Sequence, residues 1–451
     1  MGRKILLEKA GIPGIREFSI YRHHGGYGSA EKALIKMSPA EILQEVTRSG
    51  LRGRGGAGFP TGLKWSFLDR KCTNPRFLIC NADESEPGTF KDRYLMEFLP
   101  HLVLEGLIIS SFALGANTCY IYVRGEFKTL IGILQKAINE AYQQNFLGKN
   151  ILGTGYSLDI FVHPGAGAYI CGEETALLES LEGKRGNPRI KPPFPAYKGL
   201  YGCPTMVNNV ETLAAIGPII EMGGEAYASI GKGKSTGTKL ISACGNINKP
   251  GVYEIDLGLP VEDFIYSKEF CGGIKDGKRL KAVVPGGSSV PILPAELILR
   301  TAGGQQRLMT YESLADGGFD SGSMLGSGGF IVYNEDACIV RNTWNFTRFY
   351  QHESCGQCSP CREGTGWMEK VLNRLEHGLG KMSDIDLLAS IAGKIEGTTI
   401  CPLGDAAAWP VSSAIRHFRQ EFEFHAEHPE IVRKINHGAL VKNQESNIQY
   451  R

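Results

Sequence analysis

Four cysteines in the last quarter of the chain have the spacing of iron–sulfur ligands. Cys355, Cys358 and Cys361 form a C-x2-C-x2-C run, and Cys401, followed by Pro402, supplies a distant fourth thiol. Four thiolates saturate a [4Fe–4S] cluster, and two residues between successive ligands let one turn converge three sulfurs on a face of the cube. A structural zinc site usually pairs two separate C-x2-C knuckles, so zinc and unliganded thiols are the less favoured alternatives.

The chain has 12 cysteines, and those outside this run are isolated from one another. We expect most of them to be core residues or inert surface thiols, because free cysteine behaves as a small hydrophobe. Cys171 lies in a glycine-rich segment, where a functional role competes with that interpretation. The isolated set is Cys72, Cys80, Cys119, Cys171, Cys203, Cys244, Cys271 and Cys338.

A glycine-rich segment contains the letters G-x-G-x-x-G at Gly53, Gly55 and Gly58. A dinucleotide fingerprint of this kind must follow a strand and open a helix. The preceding residues have a helical pattern instead, and Pro60 with Gly62 interrupts the turn that follows. The sequence therefore argues against the ordinary dinucleotide-binding fold.

The same segment has the chemistry of a cradle for a flat or phosphate-bearing ligand. Its glycines, Gly56 among them, let backbone N–H groups approach such a ligand, and Lys64 offers a positive charge. Aromatic faces are available on Phe59, Trp65 and Phe67. A glycine-rich turn without a ligand is the alternative interpretation.

Acidic and amide side chains follow the apolar run 77–80 directly, in the segment that holds Asn81, Asp83, Glu84 and Glu86. The carboxyl end of a strand in an α/β sheet is the edge where ligands usually bind. We expect a ligand there, with a solvated acidic turn as the alternative.

Two further segments join a loop to a predicted helix. Gly172, Glu173 and Glu174 end a glycine-rich stretch, and helix capping alone could explain the two carboxylates. Asn208 and Asn209 are suited to phosphate or polyhydroxyl contacts but are equally common as caps.

The elements that would position these side chains begin with an α/β pattern. Short apolar runs at 77–80, 120–123 and 159–162 alternate with helical patterns at 102–115 and 126–143. That alternation is typical of an α/β domain with a largely parallel sheet.

Later in the chain the pattern changes twice. Runs at 239–242, 252–255 and 280–284, with a short helix at 261–266, predict a small strand-rich domain. From Asn342 onward helical patterns predict a bundle.

Local patterns refine this outline. Ser383 with Asp386 resembles a capping box, and the proline-rich segment 191–195 predicts an extended surface loop. Beyond His428 the chain is polar, which predicts a loosely held tail. An amphipathic helical face is formed by Val411, Ile415, Phe418 and Phe422.

Composition bounds the class of protein. The 451 residues, 42% hydrophobic and 21% charged, describe a globular chain of two or three domains and exclude disorder and fibre. A formal charge of +2 gives no electrostatic case for nucleic acid or a membrane surface. The longest apolar stretch, 102–116, contains Glu105 and is shorter than the roughly 18 residues of a bilayer span. With no signal-peptide core at the N-terminus, we expect a reducing, cytoplasmic-type compartment.

Together these motifs resemble one family, the NADH-binding subunit of bacterial respiratory complex I, which carries FMN and an iron–sulfur cluster. Subunits of NAD-linked hydrogenases and formate dehydrogenases share this architecture. The resemblance covers about residues 20–425 and lies in long, specific motifs, namely 52–65, 81–88, 165–176, 191–195 and the four cluster cysteines.

The resemblance implies three domains. These are an α/β FMN-binding domain of Rossmann-like appearance but different topology (1–225), a small ubiquitin-like α+β domain of the SLBB type (226–335), and a C-terminal four-helix bundle that carries the iron–sulfur cluster (336–428). Residues 429–451 would be a flexible tail.

The resemblance also implies site residues. FMN would contact Gly53, Gly55, Gly56, Lys64, Asn81, Asp83, Glu84, Gly172, Glu173, Asn208 and Asn209. The adenine side of NADH would meet Phe59, Phe67, Lys191 and Phe194, and its nicotinamide or ribose would meet Glu86, Tyr169 and Glu174. The cluster ligands would be Cys355, Cys358, Cys361 and Cys401.

The implied reaction is hydride transfer from NADH to FMN, followed by single-electron transfer through the cluster, with no side chain acting as a catalytic acid or base. The implied partners are a thioredoxin-like [2Fe–2S] subunit and a large multi-cluster iron–sulfur subunit, on the cytoplasmic side of the inner membrane. Nucleic acid and direct membrane insertion are not expected. A diaphorase subunit of a hydrogenase or formate dehydrogenase is the alternative enzyme, although such relatives often carry further cysteine runs, and a cluster-bearing scaffold is the non-enzymatic one.

Overall fold

Four parallel strands form the first sheet of the structure, a computed structural model that describes residues 3–434. Their order is β3-β2-β1-β4, so the first strand is central and pairs on both sides. The predicted parallel sheet is confirmed, but its fourth strand was not predicted, because only two apolar residues separate its polar ends. The strands are β1 (Phe77–Ala82), β2 (Thr118–Val123), β3 (Asp159–Pro164) and β4 (Thr205–Asn209).

Twelve helices of the described chain accompany this sheet. The third begins at a complete capping box, since Ser38 Oγ accepts from Glu41 N while Glu41 Oε2 accepts from Ser38 N. The helices are α1 (Phe18–His23), α2 (Gly28–Lys36), α3 (Pro39–Arg48), α4 (Thr61–Ser66), α5 (Lys91–Phe98), α6 (Pro100–Leu114), α7 (Lys128–Gln143), α8 (Glu174–Leu181), α9 (Pro195–Lys198), α10 (Val210–Ala214), α11 (Ile216–Met222) and α12 (Gly224–Ala228).

Helix α6 is buried along almost its whole length, as its apolar sequence predicts. Gly106 lets it approach α10 closely, because a Cβ at this position would lie 1.9 Å from the carbonyl oxygen of Leu213. Within residues 3–434 no single helix has the length and apolar character of a bilayer span, and α5 with α6 meets that test only as a pair bent by 98°.

The second sheet is mixed and has the order β10-β9-β11-β7-β8, beside a two-stranded hairpin of β5 and β6. The expected strands and the helix at 261–266 are present. The strands are β5 (Gly231–Lys232), β6 (Ser235–Thr236), β7 (Thr238–Gly245), β8 (Gly251–Asp256), β9 (Leu280–Val284), β10 (Leu293–Pro294) and β11 (Gly329–Asn334). The helices are α13 (Val261–Tyr266), α14 (Ala295–Leu299), α15 (Tyr311–Ala315) and α16 (Gly318–Ser321).

Four helices of the described residues pack together at the C-terminal side, α17 (Ile339–Glu353), α18 (Ser359–Glu376), α19 (Met382–Ile395) and α20 (Leu403–Glu427). The predicted capping box of Ser383 and Asp386 is wrong. Because α19 begins at Met382, it is Asp384 that accepts from the backbone N of Lys381, at 3.0 Å, while Asp386 pairs with Arg419.

The expected tail beyond His428 needs a correction at its start. Residues 429–434 are helical and Val432 is buried. The Arg433 guanidinium donates to the carbonyl oxygen of Gly378, which fastens this segment to the turn after α18. The remainder of the predicted tail, 435–451, lies outside the described residues.

The bundle shares an apolar core with one face of the first sheet. Ile79 of β1 and Tyr122 of β2 belong to the same buried cluster as Met368 and Leu372 of α18. The opposite face of the sheet packs on α6 and the N-terminal helices, and the second sheet has a core of its own. The bundle is therefore held directly against the first sheet.

A buried group of charges joins the two sheets. Lys239 of β7 lies 2.7 Å from Glu211 of α10, and Lys91 of α5 lies 2.8 Å from the same carboxylate. All three side chains are almost fully excluded from solvent. Burial would raise the pKa of Glu211, but the two ammonium groups outweigh it and lower that pKa to about 2.

The N-terminal segment is fastened to β8 by one buried carboxylate. Glu254 accepts hydrogen bonds from the backbone N–H groups of Ile5, Leu6 and Leu7, at 2.9 to 3.0 Å, and from the Thr238 hydroxyl. These N–H groups have this partner only because the second sheet is in place.

Candidate functional site

The glycine-rich segment lies between α3 and α4, and the described part of the chain has no strand before Gly53. The argument against an ordinary dinucleotide fold is confirmed, but Gly62 does not interrupt a turn. It lies within α4, where a Cβ would be 2.7 Å from Thr47 Cα, so glycine is needed for the contact between α3 and α4.

The glycine-rich segment runs close to the end of β4, and we refer to the surface that its glycines line as the concavity. Gly55 approaches Asn209 so closely that a Cβ would lie 3.1 Å from Asn209 Cβ. Gly56 has φ +144°, and a Cβ there would meet no atom within 4 Å. The backbone at Gly56 can therefore be approached by a ligand without obstruction from side chains, whereas Gly55 lies against Asn209.

Two lysines converge on one carboxylate beside this concavity. Lys64 Nζ lies 3.0 Å from Glu174 Oε2, and Lys191 Nζ lies 3.0 Å from Glu174 Oε1. Burial would raise the pKa of Glu174, but the two ammonium groups lower it to about 2. Glu174 is therefore a permanently ionised acceptor at the start of α8.

The neighbouring carboxylate, that of Glu173, has a different structural role. Glu173 caps α8, because its Oε2 accepts from the backbone N–H groups of Thr175 and Ala176. Its other oxygen lies 2.9 Å from Lys191 Nζ. Of the two carboxylates, the capping explanation accounts for Glu173 and not for Glu174.

The end of β1 contributes an amide and an unsatisfied carboxylate. Asn81 Nδ2 donates to the carbonyl oxygen of Gly172 at 2.8 Å, which links the end of β1 to the turn before α8. Asp83 Oδ1 accepts from the Ser85 hydroxyl, whereas Asp83 Oδ2 is buried without a hydrogen-bond partner among the described residues. Burial raises the pKa of Asp83 to about 7. An orphaned oxygen of this kind is suited to a ligand N–H or O–H donor.

The Glu84 carboxylate is directed toward the start of α5. It accepts from the backbone N–H groups of Asp92 and Arg93 and caps α5. Burial raises the pKa of Glu84. These contacts explain the residue as a positioner of the loop that carries Asp83.

The two asparagines at the end of β4 are both held by neighbours. Asn208 Oδ1 accepts from the buried Trp65 indole at 2.9 Å. Asn209 caps α10 by accepting from Glu211 N, and its amide donates to Asp92 Oδ2 at 2.7 Å. Their orientation is therefore fixed before any ligand arrives.

One further carboxylate, that of Glu86, is buried among hydroxyl groups. Tyr169 donates to Glu86 Oε2 at 2.6 Å, and Ser289 N donates to Glu86 Oε1 at 2.7 Å. Ser288 adds a third bond at 3.1 Å. Burial raises the pKa of Glu86 against the opposing effect of these donors. Ser288 and Ser289 were missed in the sequence, where only the Gly-Gly-Ser-Ser run after β9 could have indicated them.

Three exposed aromatic rings lie in the chain segments that carry Lys64 and Lys191. Phe59 and Phe67 are 45% and 43% exposed, with ring centroids 6.2 Å apart. Phe194, three positions after Lys191, is 52% exposed. Large apolar rings left in solvent beside a polar concavity offer a stacking surface.

The four cysteines meet where the bundle approaches the first sheet. Cys361 lies in the first turn of α18 and Cys358 precedes it. The backbone N of Ile400 donates to Cys358 Sγ at 3.3 Å, which brings the Cys401 segment to the same place. Burial raises the pKa of Cys401 to about 12, and Cys355 adds to this effect.

The spacing of these thiols favours one of two metal chemistries. Cys355, Cys358 and Cys361 lie within seven residues, and the Ile400 contact brings Cys401 to them. A structural zinc site usually pairs two separate C-x2-C knuckles. A C-x2-C-x2-C run with a distant fourth cysteine fits a [4Fe–4S] cluster better, and we refer to these four thiols as the cysteine cage.

The cage and the concavity are joined by direct hydrogen bonds. Glu353, at the end of α17, accepts from the backbone N of Tyr169 at 2.9 Å. Arg185 donates to the carbonyl oxygen of Cys355 at 3.1 Å. The segment that carries Tyr169 and Glu174 therefore lies between the two candidate sites.

Three family models match the chain. They are the Nuo51 FMN-binding domain over residues 46–218, the SLBB domain over 239–336, and the NADH-ubiquinone oxidoreductase-F iron-sulfur binding region over 341–425. Their order follows the first sheet, the second sheet and the bundle.

Curated relatives match over most of the chain. The F subunit of NADH-quinone oxidoreductase from Rickettsia bellii (strain OSU 85-389) is 52% identical over 393 residues, covering 87% of this chain and 91% of that protein. The corresponding protein of Rickettsia felis is 51% identical, covering 87% and 90%.

Solved structures of an NAD+-reducing [NiFe]-hydrogenase are also similar. The H2-reduced form has a TM-score of 0.76 at 38% identity, covering 86% of this chain and 62% of that chain. The air-oxidized form has a TM-score of 0.78 at 34% identity, covering 94% and 67%. With about half of 393 aligned residues identical to curated relatives, across nine-tenths of those relatives, the chain belongs to the family of NADH-quinone oxidoreductase F subunits.

Proposed function

We propose that this chain is the electron-input subunit of an NADH:quinone oxidoreductase, which binds FMN and one [4Fe–4S] cluster and oxidises NADH. The observation that carries the proposal is the direct connection of the concavity to the cysteine cage through Tyr169 and Glu353. A redox enzyme that passes electrons from one centre to the next needs such a short path.

The residues present fit FMN. The unpartnered Asp83 Oδ2 supplies an acceptor, the open backbone at Gly56 supplies donors, and the ammonium group of Lys64 supplies charge for a phosphate. The proposed contacts are Gly53, Gly55, Gly56, Lys64, Asn81, Asp83, Glu84, Gly172, Glu173, Asn208 and Asn209. Glu84 and Asn208 would act chiefly by holding their loops, because their side chains already have partners.

NADH would occupy the neighbouring surface. Phe59, Phe67 and Phe194 would stack on the adenine, since they are exposed, and Lys191 would supply charge. Glu174 would accept from ribose hydroxyls, and Glu86 with Tyr169 would lie at the nicotinamide end.

When bound, FMN and the cluster supply the electron-transfer chemistry, because a flavin exchanges both electron pairs and single electrons while the cluster exchanges one at a time. The chain itself binds and orients. Tyr169 keeps Glu86 in a fixed position by its 2.6 Å hydrogen bond, and Asn81 fixes the backbone at Gly172. No side chain needs to move a proton at the hydride step.

Finer features are part of the same proposal. The domain bounds would be 1–225, 226–335 and 336–428, with a Rossmann-like first domain and a ubiquitin-like second domain. The partners would be a thioredoxin-like [2Fe–2S] subunit and a large multi-cluster iron–sulfur subunit, and the complex would lie on the cytoplasmic side of the inner membrane.

Acid release of the flavin tests the proposal. Precipitation of the purified, reconstituted chain should leave one free FMN per chain in the supernatant, identified by chromatography. A supernatant without flavin would remove the enzymatic function and leave the cluster-bearing scaffold.

The similarity to the hydrogenase structures supports a second candidate, the diaphorase subunit of an NAD-linked hydrogenase or formate dehydrogenase. Copurification from the native host distinguishes the two. Iron–sulfur and membrane subunits of a quinone reductase support the first candidate, whereas a nickel–iron or formate-oxidising subunit supports the second.

A further inference from the structure

The end of the helical bundle remote from the cysteine cage holds another group of metal-ligating side chains. Cys338 precedes α17, Glu376 ends α18, and His425 lies in the last turn of α20. The opposite ends of these helices lead to the cluster cysteines. Helix α18 has 18 residues, or about 27 Å at the rise of an α-helix. The two groups of ligands are therefore separate sites.

The three side chains are close enough to share one ion. One donor atom from each lies within 4.8 Å of the other two. Cys338 Sγ is 3.4 Å from His425 Nε2, and Glu376 Oε2 is 3.9 Å from His425 Nδ1. Bonds of about 2.0–2.3 Å to tetrahedral zinc hold ligand atoms roughly 3.3–3.8 Å apart. The thiol and the Nε2 atom already have this separation, whereas the carboxylate contacts the Nδ1 side and would turn toward Nε2 to share the ion.

The imidazole is oriented as a ligand would be. His425 Nδ1 lies 3.3 Å from the carbonyl oxygen of Leu375, a partner that can only accept, so Nδ1 carries the proton. The lone pair of Nε2 then faces the Cys338 thiol. A metal-bound histidine typically donates its other N–H to a carbonyl in this way.

The carboxylate is oriented as well. Arg341 Nε holds Glu376 Oε1 at 2.6 Å. Such a partner fixes one carboxylate oxygen. The other lies 3.9 Å from His425 Nδ1. Glu376 is almost fully buried, and a buried carboxylate is stabilised by nearby positive charge, which a metal ion would supply.

We propose that Cys338, Glu376 and His425 bind one Zn²⁺ ion, with water as the fourth ligand, and that the ion ties together the ends of α17, α18 and α20. Thiolate, imidazole and carboxylate are the ligand types that zinc accepts in proteins. On binding, the S–H bond of Cys338 breaks, the S–Zn bond forms, and the proton goes to solvent.

The competing explanation is a hydrogen-bonded cap without a metal. Cys338 Sγ accepts from the backbone N of Arg341 at 3.4 Å, and its S–H can donate to His425. Zinc binding must displace the thiol proton of Cys338.

Metal analysis of the holoprotein decides between the two. The flavin- and cluster-loaded chain is incubated with Zn²⁺ at several pH values, freed of excess by gel filtration, and assayed for zinc and iron together. Wild type should retain one zinc with its iron undiminished, which separates this ion from zinc that replaces iron in the cysteine cage.

Matched variants assign the ion to the proposed ligands. Cys338→Ser and His425→Gln should weaken zinc binding tenfold or more, whereas Cys244→Ser and His417→Gln should bind as wild type does. Equal zinc retention in all four variants, or no zinc in wild type, would overturn the proposal.

Thiol protection supplies a test that needs no folded variant. In the wild-type holoprotein, Zn²⁺ should slow iodoacetamide alkylation of Cys338 at least tenfold and leave Cys203 unaffected, as measured by peptide mass spectrometry. Equal alkylation of Cys338 with and without zinc would contradict the site.

Discussion

Lys64 and Glu174 form a direct ion pair at the candidate nucleotide site, with Nζ 3.0 Å from Oε2, although they are 110 positions apart in the chain. Lys191 contacts the other carboxylate oxygen. The carboxylate is therefore paired with two cations at the position where the ribose of NADH is proposed to bind. A 2′-phosphate brought there would meet a fixed negative charge.

Removal of that charge should change coenzyme choice. In Glu174→Gln the two lysines lose their counter-charge and attract the phosphate of NADPH. Because a nearby like charge costs on the order of 1–3 kcal/mol in a partly screened site, the NADPH/NADH ratio of kcat/KM should rise about tenfold or more. Steady-state ferricyanide reduction with both coenzymes measures it.

Glu182→Gln is the matched control, since Glu182 lies at the other end of α8 and pairs with Arg189 and Lys184. Its coenzyme ratio should stay at the wild-type value. If Glu174 only complemented the dipole of α8, both variants would leave the ratio unchanged.

Loss of the cluster should spare the flavin. Cys358→Ala should bind no [4Fe–4S] cluster, while NADH bleaches the flavin within about threefold of the wild-type rate, because the thiols do not line the concavity. Iron analysis and stopped-flow absorbance measure the two effects.

The shared contacts make this a demanding test, since Tyr169 is bonded to Glu353 beside the cysteine cage. Cys203→Ala is the control and should keep both centres. A folded Cys358→Ala chain that NADH no longer reduces would contradict a separate task for each centre.

Asp83 should make the flavin-free chain less stable as pH rises. Its folded pKa of about 7 exceeds the ordinary value of 3.8, so the folded state keeps a proton that the unfolded state has lost between those values. The free energy of unfolding should therefore fall from about pH 4 to pH 7. Asp83→Asn should reduce this fall, leaving the part due to Glu84, whose pKa burial also raises. It should stabilise the chain at pH 8 by about 1–2 kcal/mol, since Asp83 is not fully buried.

Denaturant titration at pH 5 and pH 8 measures the effect. Asp320→Asn, at a side chain that is 91% exposed, should keep the wild-type pH dependence. The same pH dependence in wild type and Asp83→Asn would show that Asp83 is not a buried neutral acid.

Two glycine-to-alanine substitutions should change the free energy of unfolding in opposite directions. Gly106→Ala places a methyl group against the Leu213 carbonyl oxygen and should destabilise the chain by about 1–3 kcal/mol. Gly132→Ala, in an exposed position of α7 with no atom within 4 Å, should stabilise it by about 0.5–1 kcal/mol. Thermal unfolding measures both, and equal melting temperatures would contradict the close approach of α6 and α10.

Much of this architecture could be predicted from local pattern. The strands at 77–80, 120–123 and 159–162 and the helix at 261–266 were predicted, because each is a continuous apolar run or an amphipathic turn between glycines. The cysteine group was predicted from the seven-residue run of Cys355, Cys358 and Cys361 together with the distant Cys401 before Pro402.

The incorrect or incomplete predictions concern residues whose role is determined by tertiary contacts. Gly62 looked like an interruption because its packing partner, Thr47, belongs to another helix. Glu173 and Glu174 could not be distinguished, because a cap and an ion pair require the same residue type. Cys338 and His425 are 87 positions apart, and no local pattern connects them.

The bond between Glu254 and the N-terminal segment also constrains how the protein can be made. Ile5 and Glu254 are 249 positions apart. A ribosome adding about 5–20 residues per second needs roughly 12–50 s to cover that distance, and the backbone N–H groups of Ile5, Leu6 and Leu7 wait through it without their native acceptor. The first part of the chain to leave the ribosome is therefore among the last to reach its native position, a delay in which a chaperone can occupy it.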